Sequence, residues 1–382
     1  MLIRALVVTA LTIIGAGVFL APPARAHPAW GIAVDRQGQV YFSDLEIVWK
    51  IDAQGRLSVF RASVGGRHVH ELNTDEAGNL YGADNSYEPA TRRFFSALWK
   101  MTPTGGFSYL LAPTDDPPEG TSIWRDREGN TYHATTHPGR ELMVIKRTPN
   151  GKVNVLVGDS KAAREYRQGV PYSLGGMAFD NEGSLYFTHG ANVSKLTMNG
   201  TVSVLARNLV TEATPGNTAS VASQTQLFGL AVDAQGNAVV ADYGNRRVLK
   251  ITPQGQVTTL LRAEETWFPT GVANRDGELY ILENGHTPAY RPTGTRVRKL
   301  SADGRVTLLA TVGENGNPRG GSSSPTVVES SSGESSETKS EPGRRALSLL
   351  LGAAAAIFAL TIIVWRVRRR MSKRQRRELL KQ

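Results

Sequence analysis

The amino-acid sequence predicts an all-β fold: a six-bladed β-propeller of four-stranded blades, followed by one C-terminal transmembrane α-helix. Three observations predict it. A lysine followed five residues later by a glycine recurs six times, at Lys50/Gly55, Lys100/Gly105, Lys146/Gly151, Lys195/Gly200, Lys250/Gly255 and Lys299/Gly304. Each of those glycines opens an apolar run of the type G-x-[VLF]-x-x-[LF], as in Gly55-Arg56-Leu57-Ser58-Val59-Phe60. Upstream stands G-x-x-Y, at Gly38/Tyr41, Gly78/Tyr81, Gly129/Tyr132, Gly183/Tyr186 and Gly277/Tyr280, with Val239 in the tyrosine slot after Gly236. The turn glycines of this third signal are about 40–54 residues apart. That period, with several short strands per unit, is the signature of a propeller.

Residues 1–26 read as an export signal. Arg4 supplies a positive start, Ala5 to Leu20 are apolar, and Ala24-Arg25-Ala26 is a small-residue cleavage site. The propeller is expected over 27–312. In the first repeat the strands fall at Gly31–Asp35, Gln39–Asp44, Ile47–Ala53 and Leu57–Ala62, each rich in Val, Ile, Leu and Tyr between turn residues. The same unit recurs at about 68–112, 121–157, 174–206, 227–262 and 269–312. With no spare strand at either end, the ring is expected to close by packing of its first and last blades. The repeated lysines read as scaffold, their stems against the third strands and their heads in solvent.

Residues 313–345 are rich in Ser, Gly, Glu and Pro and cannot bury enough surface to fold, so they read as a disordered stalk. Residues 346–365 carry no charge over a length that crosses a hydrocarbon core as a helix. Nine Lys or Arg follow in 366–382, and this excess puts the tail in the cytoplasm and the propeller outside the membrane. Of the formal net charge of +10, +8 lies in the tail and +2 in the signal, so the folded part is near neutral. That excludes a basic footprint for nucleic acid. The chain has no cysteine, so the core alone must hold the exported domain.

Turns between strands 1 and 2 and between strands 3 and 4 are tight in every repeat, and both sets fall on one face of the disc. Long connections fall on the other, at Asp84–Ala97, Thr135–Leu142, Asp159–Ser173, Asn208–Gln226 and Glu283–Thr295. Long loops on a rigid scaffold are where binding residues concentrate, so this top face is the expected functional one. All seven histidines fall on or near it. The residues six after each turn glycine, Asp44, Asp84, Thr135, His189, Asp242 and Glu283, would form a mostly acidic circle. Such a circle could hold a ligand or a divalent cation, zinc or calcium; equally, each acid could cap its own turn. The candidate ligand-binding set is Trp30, His70, Glu71, Asp84, His189, Asp242 and Glu283. The candidate metal set is His70, Glu71, His137, His189 and His286. His68 and His70 alternate and so share one side of an extended segment.

The fifth repeat carries a family resemblance. Phe228-Gly229-Leu230-Ala231-Val232-Asp233, Gly236-Asn237 and Ala241-Asp242-Tyr243-Gly244-Asn245-Arg246-Arg247-Val248 resemble an NHL repeat, and Gly31-Ile32-Ala33-Val34-Asp35 keeps its opening. The resemblance covers about 30–312 and implies a six-bladed propeller in the superfamily shared with SMP-30/gluconolactonase-like proteins. By it, Asp242, Asn245 and Arg247 are turn residues. Related propellers include protein-binding modules, metal-dependent gluconolactonase-like and paraoxonase-like hydrolases, and a lyase acting on peptidyl-hydroxyglycine. The lactonase-like group is similar in opening inner strands with Asn-Gly or Asp-Gly, where this chain has Gly175-Gly176, Phe228-Gly229 and Thr270-Gly271. The lyase is similar in holding zinc by histidines from several blades, for which His70, His137, His189 and His286 stand available.

No nucleophile elbow, P-loop, H-E-x-x-H or dinucleotide fingerprint occurs. The leading expectation is therefore a membrane-anchored module that binds a protein, peptide or glycan through its top face. The alternative is a metal-dependent hydrolase or lyase at the mouth of the axis.

Overall fold

A blade of a propeller must bury both faces, so its strands need apolar residues at odd and even positions alike. The first repeat meets this demand. Ile32, Val40, Phe42, Trp49 and Ile51 face one neighbour, and Ala33, Tyr41 and Val48 face the other. The structure, a computed structural model, describes residues 28–118, 120–136, 142–158, 176–210, 227–287, 291–313 and 327–328. The signal at 1–26, the helix at 346–365 and the tail at 366–382 lie outside the described residues. Of the segment 313–345, only Gly313 and the pair Val327–Val328 are described.

Six antiparallel sheets follow one another along the chain. Blade 1 is β1 (Ile32–Val34), β2 (Val40–Ser43), β3 (Val48–Ile51) and β4 (Leu57–Arg61). Blade 2 is β5 (Arg67–Thr74), β6 (Leu80–Glu88), β7 (Arg93–Met101) and β8 (Phe107–Thr114). Blade 3 is β9 (Thr131–Thr136), β10 (Leu142–Arg147) and β11 (Val153–Val157). Blade 4 is β12 (Met177–Phe179), β13 (Leu185–His189), β14 (Asn192–Leu196) and β15 (Val202–Ala206). Blade 5 is β16 (Leu227–Val232), β17 (Ala238–Asp242), β18 (Arg247–Ile251) and β19 (Val257–Arg262). Blade 6 is β20 (Trp267–Arg275), β21 (Glu278–His286), β22 (Pro292–Leu300) and β23 (Val306–Gly313), with a short fifth strand β24 (Val327–Val328) pairing on β23.

Two expected loops are strands. The β6–β7 ladder continues from Asp84↔Ala97 to Glu88↔Arg93, and β21–β22 runs on to His286↔Pro292. Blade 3 departs the other way, because its inner strand is reduced to a single bridge, Arg125↔Thr131. Pro117 and Pro118 precede it without backbone donors. Ser122 Oγ then accepts the Trp124 N–H at 3.0 Å, drawing a donor away from the ladder.

The G-x-[VLF]-x-x-[LF] run has a structural meaning. In all six blades the ladder between the third and fourth strands shifts register just before the repeated lysine. The residue left unpaired by each bulge is the last of the motif: Phe60, Leu110, Leu156, Leu205, Leu260 and Leu309. A bulge sharpens twist and re-aims a side chain. Five of these six side chains pack into the core shared with the next blade. Leu110 of blade 2 is instead 39% exposed. Apolar cores join blades 1–2, 3–4, 4–5, 5–6 and 6–1, and none spans blades 2 and 3 among the described residues.

The lysines do more than cover strands. Asp35 accepts the N–H groups of Gln37 and Gln39 through Oδ1, each at 2.9 Å, and the Tyr41 hydroxyl through Oδ2 at 3.2 Å. Asp75 and Asp126 hold Tyr81 and Tyr132 in the same way, each at 2.9 Å. The lysine heads lie over these rings, 5.7 Å from Tyr41 and Tyr81 and 5.4 Å from Tyr132, and Lys195 Nζ is 3.0 Å from Asp180. Burial and the neighbouring carboxylate push the Tyr81 hydroxyl up to about 12. The expectation that the lysine heads point to solvent is thus corrected, since the turn acid and the tyrosine hold them.

Ring closure is by packing, as expected. Ile32, Phe42 and Trp49 of blade 1 share a core with Tyr280, Leu282 and Val297 of blade 6. Arg275 donates to the Asp35 carbonyl at 2.7 Å and Asn284 to the Ala29 carbonyl at 3.0 Å.

Four before the turn acid or its counterpart Arg275, the inner segments carry Gly31, Glu71, Ser122, Gly176, Gly229 and Gly271, and the four glycines abut the next blade. At the glycines the next blade leaves no room for a side chain. A Cβ on Gly176 would lie 2.3 Å from the Leu230 nitrogen, one on Gly229 2.7 Å from the Gly271 Cα, and one on Gly271 2.4 Å from the Trp30 carbonyl oxygen. Replacing Gly176 or Gly271 by Ala is expected to cost about 1–3 kcal/mol or more, because backbone rather than a movable side chain must give way. Gly65→Ala, in open space at negative φ, is expected to cost well under 1 kcal/mol. Urea unfolding midpoints of the three variants check the contrast.

Candidate functional site

The acids six after each turn glycine are occupied, and two of them, Asp84 and Glu283, stand inside β6 and β21 rather than at a strand end. Asp44 accepts the Glu46 and Ile47 N–H groups at 3.1 and 2.8 Å and the Trp49 indole N–H at 2.9 Å. Asp84, almost fully buried, accepts from Arg61 of blade 1 and from the Trp99 indole, each at 2.6 Å. Asp242 accepts from Arg247 Nε at 2.7 Å and Asn245 Nδ2 at 3.0 Å, the turn role implied by the NHL resemblance. Glu283 accepts from Arg296 and Arg298, each at 2.6 Å, and Glu264 pairs with the same two arginines. His189 Nε2 is 2.9 Å from Ser194 Oγ, and burial together with Arg207 holds its imidazole below the usual range.

A carboxylate held by two arginines, or by an arginine and an indole, in a dry interior is a structural joint. Its lone pairs are committed, and a cation would have to displace the guanidinium. Among the described residues no group of three or more His, Asp or Glu side chains is placed to hold a metal ion. His137 lies outside the described residues. The described members of the metal set are scattered: His70 and Glu71 stand at the axis, His189 in blade 4 and His286 beside Phe268 in blade 6. They do not fit a zinc or calcium centre.

A chain of ring contacts links residues of blades 1, 2, 5 and 6. His68 and His70 are 6.0 Å apart, His70 and Trp30 4.9 Å, and Trp30 and Phe228 5.4 Å. The contacts continue from Phe228 to Tyr243 at 5.3 Å, to Phe268 at 5.1 Å and to His286 at 5.4 Å. Such spacings are those of favourable aromatic pairs. Sequence reading found Trp30 and the histidines but missed Phe228, Tyr243 and Phe268. The signal was present: Trp30 and Phe228 each stand directly before an inner-strand glycine.

The cavity lies where the glycine rule fails. Between blades 2 and 3 a small cavity of about 40 Å³, open to solvent on one side, is lined by Trp30, His70, Glu71, Asn85, Ser96 and His133, among others. Leu98, Leu111, Pro117 and Ile123 supply its apolar wall, and Thr121 and Ser122 complete the side toward blade 3. A bulge falls at His70, between the Val69↔Asp84 and Glu71↔Ala83 pairs, as one falls at Thr270 between Pro269↔Glu283 and Gly271↔Leu282. Both His70 and Glu71 line the pocket. Two of the expected site residues thus meet here with Trp30, whereas Asp84, Asp242, Glu283 and His189 are built into the blades.

Two polar atoms of this pocket are buried without a hydrogen-bond partner, Trp30 Nε1 and His133 Nε2. An indole N–H can only donate. His133 is 5% exposed, and burial drives its imidazole down to about 4, so it is neutral at physiological pH.

No protein-family profile matches the chain, and no curated protein matches it. Solved structures do resemble it. Virginiamycin B lyase from Staphylococcus aureus aligns with a TM-score of 0.40 at 12% identity, over 74% of this chain and 83% of that one. A nidogen–laminin complex aligns at 0.41 and 16%, over 67% and 92%. A gluconolactonase from Xanthomonas campestris aligns at 0.41 and 13%, over 67% and 83%. These likenesses say nothing of chemistry. The six-bladed architecture itself stands on the strand topology above.

The buried His133 makes a test of stability against pH. An unfolded imidazole protonates near 6.5 and the folded one only near 4, so between these values the unfolded chain binds one more proton. This contribution is fully present above pH 6.5 and is lost as pH falls toward 4, by up to about 3 kcal/mol. In His133→Gln that part of the slope disappears. The stability gap between the wild type and the variant is therefore expected to narrow from pH 7 to pH 4.5 in urea titrations, and an unchanged gap contradicts the buried neutral state.

Proposed function

We propose that this chain is a membrane-displayed binding module. Its propeller stands outside the membrane and takes a peptide or glycan group into the pocket between blades 2 and 3. The observation that carries the reading is that pocket. It is the one blade boundary without an apolar core among the described residues, and it holds two buried polar atoms with no partner. A buried donor left unpaired costs about 1–3 kcal/mol, which a bound ligand would recover. The display outside a membrane rests on the signal at 1–26, the uncharged stretch at 346–365 and the basic tail at 366–382. The metal-dependent alternative finds no ligand set among the described residues to support it.

Two experiments test this reading. Protease added to intact cells is expected to remove an epitope placed on the Gly55 turn and spare one placed after Gln382; the reverse pattern refutes the topology. The full chain, purified in detergent, is expected to bind members of a glycan or peptide panel. Filling the pocket with Ser122→Trp is expected to weaken that binding at least tenfold at an unchanged far-UV spectrum. Binding indifferent to Ser122→Trp and to Asn85→Ala moves the site elsewhere.

A further inference from the structure

Between the last blade and the uncharged stretch at 346–365, residues 314–345 hold two apolar residues only, Val327 and Val328. These are the two that form β24. β-Branched residues suit an extended strand, whereas the Ser, Gly and Glu around them favour neither strand nor core. Val327 pairs with Thr307 and Val328 with Val306. Blade 6 alone carries a fifth strand among the described residues. An open strand edge is a template for one more strand, and here the chain supplies that strand itself.

The register gives β24 a direction. β23 starts after the tight turn at Gly304 and ends at Gly313 on the top face. β24 lies antiparallel on the first two residues of β23, so it runs back toward the tight turns. The chain therefore leaves the blade at Glu329, beside Val306, and not at Gly313. Resting on the display reading above, we infer that Val327–Val328 is a clip on the edge of β23. It moves the tether's point of departure from the top face to the tight-turn face, and so turns the top face away from the membrane. The free tether becomes the 17 residues 329–345 in place of the 32 residues 314–345. A Ser/Gly-rich coil of 17 residues reaches about 21–25 Å, close to the roughly 24 Å that the eight residues of β23 cover. The face from which the tether leaves thus decides which face lies nearer the bilayer.

The chain has no cysteine, so single probes are unambiguous. Directly opposed residues of a ladder bring their Cβ atoms to about 4.5–5.5 Å. In the full chain, Thr307→Cys with Val327→Cys is expected to oxidise to an intrachain disulfide at least fivefold faster than Thr307→Cys with Ser335→Cys; equal rates overturn the clip. The full chain is then placed in phosphatidylcholine nanodiscs with an acceptor dye on the lipid headgroups. A donor dye is attached at Gln54→Cys, in the tight turn of blade 1, or at Gly65→Cys, in the connection leaving the top of that blade. Transfer from position 54 is expected to exceed that from position 65 at least twofold. Val327→Pro with Val328→Pro, which deletes both backbone donors of β24, is expected to erase most of that difference. Equal transfer from the two positions overturns the inference and leaves the display reading standing. A difference that the double proline does not reduce overturns the clip as its cause. A chain that stays out of the nanodiscs overturns both readings.

Discussion

The close approach of backbones around the axis is the constraint on which the rest of the structure depends. Six blades of three to five strands crowd their inner edges into one ring, and the innermost residue of each has almost no volume to occupy. Four blades answer with glycine: Gly31, Gly176, Gly229 and Gly271 each abut the inner segment of the next blade. Contact at that radius sets the spacing farther out, where paired rows of apolar side chains fill the gap between sheets. The bulge residues Phe60, Leu156, Leu205, Leu260 and Leu309 then close the outer part of each boundary. Where the inner residue is Glu71 and the next is Ser122, the backbones cannot meet in the same way. The boundary opens, the core cluster is missing, and Leu110 is left at the surface.

Charge is distributed to serve the same frame. Each turn acid on the tight-loop face does double duty, holding backbone N–H groups with one oxygen and, in several blades, a tyrosine hydroxyl or lysine with the other. Three of the acids six after a turn glycine are neutralised by arginines: Asp84 by Arg61, Asp242 by Arg247, Glu283 by Arg296 and Arg298. A buried ion pair adds little net stability, but removing one partner strands a charge in a medium of low dielectric. These pairs therefore specify one arrangement of strand ends rather than supply a reactive site. That is why a circle of acids can be regular in sequence and still be chemically spent.

Much of the frame was legible in the sequence because it depends on local rules. The Lys-x4-Gly and G-x-x-Y signals mark hairpins, and their spacing counts the blades. Even the bulge was written in the last apolar residue of G-x-[VLF]-x-x-[LF], although alternation alone does not reveal that this residue is unpaired. The extended ladders of blades 2 and 6 were hidden, because Asp84–Ala97 and Glu283–Thr295 carry polar residues that read as loops. The site was legible only in part. His70, Glu71 and Trp30 could be placed beside the axis from their positions before inner strands. His133 could not, because its significance lies in facing an absent core across a blade boundary. The loss of the acidic circle was legible in part: Asp44 and Asp242 cap their own turns as the sequence allowed, but the arginine that holds Asp84 lies 23 residues away along the chain.

A ring of equivalent repeats gives no reason for a ligand to prefer one boundary over another, so specificity has to come from a departure. Here two departures coincide at one place. Glycine is lost at Glu71 and Ser122, and the inner strand of blade 3 is reduced to the Arg125↔Thr131 bridge. Each alone would be a cost, since each removes ladder bonds or packing. Together they leave a wedge with an apolar floor, beside the ring stack of Trp30, Phe228 and Tyr243. The stability forgone at this boundary is borne by the five that retain their cores. A closed ring tolerates that arrangement because blades 2 and 3 are each held from their other side, by Tyr41 and Val48 in one case and by Met177 and Phe187 in the other.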